Sequence, residues 1–213
     1  MTKTELVYNV LRGRILDLAY RPGDYFNVDD FARRNQVSPI PVREAVVRLV
    51  EERLMVMRPH VGAGIAPLDE TSVRETFALL EGLEMAATHD IVARATSDDL
   101  AELGEILDGI DVLRMPSELA KWDEANASFH LRLAAIAGLP GLHANLRRAF
   151  DHWDRIRRWF AGISATRRES LAQREHRAMV RALARKDEDL LRVLLFRHSE
   201  RPRRAYLRSL PKP

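Results

Sequence analysis

The chain of 213 residues has no cysteine. That absence excludes a disulfide-stapled fold, a thiolate metal site and a thiol nucleophile, and it fits a reducing compartment. Long apolar runs are missing too. No stretch approaches the ~18–20 residues that cross a bilayer. The first residues, MTKTELVYNVLRGRIL, set charges among the apolar positions where a signal peptide has an unbroken core. The expectation is a cytoplasmic protein with no membrane contact. Lysine is scarce, at four against thirty arginines. Arginine suits bidentate recognition of phosphate, carboxylate and guanine, but GC-rich coding gives the same enrichment, so charge does not name the partner. With 46% hydrophobic and 31% charged residues, the chain can build a core, and a disordered chain is excluded.

Proline divides what is there. Five of ten prolines (Pro22, Pro39, Pro41, Pro59, Pro67) fall in the first 67 residues, and long helical periods follow. The expected boundary lies at Pro67-Leu68-Asp69, with Asp69 capping the next helix. Residues 1–68 then form one domain and 69–213 a second. The expected fold class is mainly α, a winged helix-turn-helix with a small β-hairpin followed by an all-α bundle.

In the first domain, Leu6, Val7, Val10, Leu11 and Ile15 repeat at helical spacing over Thr4 to Leu18. Arg21-Pro22-Gly23-Asp24 is a turn. Asn27 caps a short helix through Val28, Phe31 and Ala32. Ser38 is expected to cap the next helix, which carries Val42, Ala45, Val46, Leu49 and Val50 on one face. Two strand-like pieces follow, Met55–Arg58 and Gly64–Ala66. In a helix-turn-helix the second helix enters the major groove amino end first. Arg43 can donate two bonds to a guanine edge. Ser38, Arg33 and Arg34 are placed for phosphates, and His60 sits at the hairpin tip. A protein-docking module remains the alternative reading of the same elements.

The order of Pro22-Gly23, Val37-Ser38-Pro39-Ile40-Pro41-Val42-Arg43-Glu44-Ala45, Arg48-Leu49 and Pro59-His60-Val61-Gly62 closely resembles the GntR family of bacterial transcriptional regulators. In that family the stretch usually reads S-R-T-P-V-R-E-A-L, with a wing ending in glycine. The resemblance implies DNA contacts at Arg33, Arg34, Ser38, Arg43, Arg48, His60 and Gly62. Pro39 and Ile40 stand where the family usually has arginine and threonine. This implies an unusual operator or weaker binding, with Arg43 as the base reader.

Six helices are expected beyond the boundary, at about 69–94, 97–114, 117–137, 141–161, 166–184 and 187–207, with Leu142, Leu146, Ala149, Trp153, Ile156 and Phe160 marking the fourth. Asn126 and His130 lie one turn apart on one face. His176 and His198 sit on the apolar faces of two later helices. Imidazoles are common ligands for zinc and nickel, yet a single histidine on such a face is more often a hydrogen-bonded core residue. Sequence spacing leaves both readings open.

This second part resembles the FCD effector domain of the FadR subfamily, in its six-helix, VanR-like form. That domain carries D-x-x-x-H, then E-H, then a later H around a divalent metal. The resemblance implies a metal site at Asn126, His130, His176 and His198, but asparagine removes the anionic ligand, so weaker binding or help from a bound anion is expected. The family arginine before its L-E pair is replaced by Leu80. An organic-acid effector therefore needs another cation, and Arg148, His152 and Arg155 on one helix face are the candidates. No Ser-centred elbow, phosphate loop or H-E-x-x-H occurs. The resemblance implies a ligand-responsive, homodimeric repressor on a pseudo-palindromic DNA operator, and no enzyme. A helical-bundle metallohydrolase with Glu175 as base, or a regulator with a degenerate pocket, are the alternatives.

Overall fold

The computed structural model describes residues 1–58, 61–113, 117–160 and 169–210. It divides into two compact units. Unit 1 comprises Met1–Ser72 with Asp154–Trp159, and unit 2 comprises Val73–Trp153 with Phe160–Pro213. The described residues form nine helices and one two-stranded antiparallel sheet, so the fold is mainly α, as expected.

In unit 1, helix α1 (Lys3–Leu16) starts at a capping box in which the Thr2 hydroxyl accepts from Glu5 N at 3.1 Å and Thr2 N donates to the Glu5 carboxylate. It buries Val7, Leu11 and Ile15, one turn apart. The helix stops before the expected Leu18, which takes a left-handed φ of 58°. Helix α2 (Val28–Arg34) begins at Asn27, whose side chain accepts from Asp30 N at 2.9 Å. Helix α3 (Pro39–Glu51) buries Val42, Ala45, Val46 and Leu49.

The expected Ser38 cap is corrected in part. Ser38 occupies the cap position, but its side chain makes no capping bond. Such a bond goes to the backbone N–H of the second or third helical residue, and the third is Pro41, which has none.

Strand β1 (Met55–Arg58) pairs antiparallel with β2 (Gly62–Ile65), Met55 opposite Ile65 and Arg58 opposite Gly62. The second strand therefore starts two residues earlier than expected. The hairpin gains a third edge where Phe26 N donates to Ala63 O and Gly23 N to Ile65 O. This edge explains Gly64, where a Cβ would stand 3.1 Å from Asp24 O. Leu11, Ile15, Phe31, Val42, Leu49 and Ile65 close the core of this unit.

Unit 2 draws on α4 (Glu70–Arg94), α5 (Ser97–Asp111), α6 (Leu119–Ala135), α7 (Pro140–Trp159), α8 (Glu169–Ala184) and α9 (Glu188–Ser209). These are the six expected helices; the expected ends at 114, 161 and 166 lie outside the described residues, and the other ends fall within about a turn. Asp69 accepts from Ser72 N at 2.8 Å, the cap expected before α4. Helix α5 packs against α6 and α8, and α8 against α9. Leu103, Leu107, Phe129, Leu133, Leu183 and Leu191 form the centre of the core. No helix among the described residues is long and apolar enough to cross a membrane.

Thr96 and Asp99 form the capping box of α5, and Arg132 of α6 reaches the same carboxylate at 2.5 Å. Hydrogen bonds from Thr96 and then from Arg132 hold the Asp99 carboxyl at about 2, below its ordinary 3.8. A depressed folded value stabilises the fold above the unfolded pKa and is lost as the carboxylate protonates. Asp99→Ala should therefore lower stability by ~1 kcal/mol at neutral pH. The deficit should shrink as pH falls from 3.8 towards about 2, read from urea melts of parent and variant across that range.

Candidate functional site

The outer face of α3 carries the groove-reading candidates. Ile40, Arg43, Glu44 and Val47 follow helical spacing, and all are exposed. Ile40 is 66% and Val47 58% exposed on this face. Arg43 reaches Asp29 only at 3.8 Å, with both side chains largely in solvent. The Ser38 hydroxyl, relieved of capping, is exposed at the same helix end. Arg33 and Arg34 both pair with Asp30 of their own helix, the latter at 2.9 Å. Arg48 lies over the Tyr8 ring at 3.9 Å, a cation–π contact that ties it to α1. Gly62 opens β2 with φ of 104° beside the Tyr25 ring. His60 lies outside the described residues.

In unit 2 three histidines from three helices converge. His130 comes from α6, His176 from α8 and His198 from α9, and their candidate ligand atoms lie within 4.8 Å of one another. The Nε2 atom of His198 is 3.1 Å from that of His130 and 3.2 Å from that of His176. His130 and His176 are buried, and His198 has a side chain 13% exposed. Phe129 packs against both buried rings, with centroids at 5.3 and 4.6 Å.

The outer nitrogens explain the orientation. His130 Nδ1 is 2.6 Å from Glu84 Oε1, and His198 Nδ1 is 2.9 Å from Glu175 Oε2. A carboxylate accepts, so the tautomer that satisfies both contacts places the proton on each Nδ1. His176 Nδ1 faces Gln173 Oε1 at 3.4 Å, while the Gln173 amide group donates to Leu107 O and Asp111 Oδ1, each at 2.8 Å. With all three protons outside, three Nε2 lone pairs point inward. Burial, and then the neighbouring imidazoles, hold His176 well below the ordinary histidine value. His198 is lowered by burial, with the Glu175 hydrogen bond acting the other way. Burial thus favours the neutral form of these two imidazoles, the form in which a histidine ligates a metal.

Asn126 is 1% exposed on α6, one turn before His130, and neither its Oδ1 nor its Nδ2 has a hydrogen-bond partner. A facial set of three imidazoles with a nearby amide fits a zinc- or nickel-class ion in its donor chemistry.

The three cationic candidates on α7 differ in exposure. Arg148 is exposed and His152 half-buried. Arg155 is instead fully buried within unit 1, where it donates to Ala66 O at 2.5 Å, and burial lowers its guanidinium to about 10. Glu84 and Gln173 are the site residues that sequence reasoning missed. The signal for Glu84 was a carboxylate inside the apolar stripe of Phe77, Leu80, Ala87 and Ile91. Glu175, read as a base beside His176, holds His198 instead.

Residues 3–65 match the bacterial regulatory proteins, gntR family, and residues 75–201 match the FCD domain. The Nta operon transcriptional regulator of Aminobacter aminovorans is 28% identical over 184 residues, covering 85% of this chain and 84% of the relative. The HTH-type transcriptional repressor RspR of Escherichia coli K12 is 23% identical over 192 residues, covering 90% and 83%. Among solved structures, E. coli McbR/YncC superposes with a TM-score of 0.73 at 21% identity, covering 98% of both chains. A GntR transcriptional regulator of Rhodococcus sp. RHA1 gives the same score and identity, covering 99% and 100%. These two likenesses concern the fold. With both parts of the chain matched in order, it belongs to the GntR family of bacterial transcriptional regulators, its second part an FCD domain, and is a DNA-binding regulator rather than an enzyme.

Proposed function

We propose that the chain acts as a homodimeric, effector-responsive repressor, reading a pseudo-palindromic operator with residues 1–68 and sensing through residues 69–213. The single observation that carries this reading is an exposed reading helix on the same chain as a buried, preoriented histidine triad. Two linked heads give a ligand a means to act, because binding that favours one head spacing shifts affinity for DNA. The repressor assignment is supported by the name of the E. coli relative RspR.

On DNA, Arg43 is the base reader, and Ser38 and the arginines Arg33, Arg34 and Arg48 lie towards the backbone, with the wing at His60 and Gly62 alongside. Ile40 and Val47, exposed on the Arg43 face, suit thymine methyl groups. In the FCD domain, His130, His176 and His198 would hold a divalent ion, with Asn126 beside them. When bound, the ion supplies a Lewis-acidic point that takes an anionic oxygen of an organic acid. The chain's residues keep that point dry, hold the imidazoles neutral and fix their direction.

Arg43→Ala should cost ~1–3 kcal/mol of operator affinity and relax preference at one base pair per half-site. Binding measured across a panel of single-base operator variants tests this, and a loss uniform over the panel would assign Arg43 to a phosphate. Melting with chelator and with added zinc or nickel tests the sensor. At a free ion concentration 100 times Kd the parent should gain about 2.7 kcal/mol, and His176→Ala should gain little. A parent indifferent to both ions would reduce the histidines to core residues and remove the metal from this reading.

A further inference from the structure

An ion among the three Nε2 atoms brings two positive charges into a core where neither the imidazoles nor the Asn126 amide can supply a negative one. Burial opposes uncompensated charge. The compensation stands one imidazole away. Glu84 from α4 holds His130 at 2.6 Å, and Glu175 from α8 holds His198 at 2.9 Å, whereas His176 meets the uncharged Gln173.

The two carboxylates are not equivalent. Glu175 has Arg201 Nη1 2.7 Å from its other oxygen, which sets a positive charge beside the negative one. Its side chain is also 14% exposed, so water screens it further. The Glu84 side chain is 7% exposed, and among the described residues no lysine or arginine lies within ion-pair distance of it. Its charge acts at short range through a low-dielectric interior.

We propose that Glu84 is the positioning residue that supplies the negative charge for the metal, acting through the His130 imidazole, with Glu175 the lesser contributor because Arg201 offsets it. The inference rests on the metal reading of the histidine site and adds which side chains set its affinity. A carboxylate on Nδ1 fixes the proton outside, turns the Nε2 lone pair inward and raises ligand basicity. Gln173 does the first two for His176 without adding charge.

Glu84→Gln isolates the charge, since glutamine keeps an acceptor for His130 Nδ1. The full-length chain, stripped of metal, is titrated with zinc against a chromophoric chelator and also melted without metal. Zinc affinity of Glu84→Gln should fall about tenfold to a hundredfold. Glu175→Gln should lose less, and Arg201→Gln should bind more tightly than the parent. Without metal, Glu84→Gln should melt no lower than the parent, because it removes a buried charge. A residue that merely supports the fold would lower both melts. Affinity in Glu84→Gln indistinguishable from the parent's overturns this inference alone, whereas a parent that binds no zinc overturns the metal reading with it. Should Glu84→Gln melt below the parent without metal, Arg201→Gln decides: tighter zinc binding upholds the role of the carboxylate shell, and unchanged affinity overturns it.

Discussion

Three imidazole lone pairs held face to face in a protein interior constrain almost everything else in unit 2. Nε2 atoms lie 3.1 and 3.2 Å apart, and with the protons on the outer Nδ1 atoms their lone pairs repel one another. The arrangement persists because each Nδ1 is anchored from outside, by Glu84, Gln173 and Glu175. Gln173 is in turn fixed by Leu107 O and Asp111. Four helices, α4, α6, α8 and α9, thus converge through side chains on one point, and α5 orients one of the anchors. Phe129 supplies the apolar wall that keeps the cluster dry. The same dryness keeps His176 and His198 below the ordinary histidine value, so they stay neutral in the pH range where a solvated histidine takes up a proton.

Unit 1 answers to a different constraint, the pair of prolines at the start of α3. Pro39 suits the first helical position, where no N–H is needed. Pro41 removes the N–H that a serine cap would engage, so the helix begins with its Ser38 hydroxyl unspent and facing solvent. A cap is worth ~1 kcal/mol to a helix. Here the missing bond coincides with the helix end that meets DNA, where a hydroxyl serves better as a phosphate donor. The burial of Val42, Ala45, Val46 and Leu49 holds the helix without the cap and leaves the opposite face to Ile40, Arg43 and Val47.

The periodic parts of this structure were legible in the sequence because they are local. Helical spacing of apolar residues located all six later helices, and the turn chemistry around Pro22 and Ser38 located the reading head. What spacing leaves open is convergence between helices. His130, His176 and His198 each read as a histidine on an apolar face, and only the packing of α6, α8 and α9 makes them one cluster. Glu175 shows the same limit from another side. Adjacent helical residues point about 100° apart, so Glu175 points away from His176, and that direction leads to His198 on α9. The burial of Arg155 was not legible either, because an arginine on an amphipathic helix is ordinarily solvated. Its burial depends on a backbone carbonyl, Ala66 O, distant in sequence.

Asn126 then takes on a meaning that its residue type alone does not carry. An amide buried to 1% exposure with neither polar atom bonded costs ~1–3 kcal/mol per unsatisfied group. A leucine there would remove that cost, so the fold does not require the amide. It stands one turn before His130 on α6, the same face that delivers a histidine to the cluster. A polar group kept at such a cost, on the face that carries a cluster histidine, is accounted for by the proposed sensor role and by nothing in the packing of the helix.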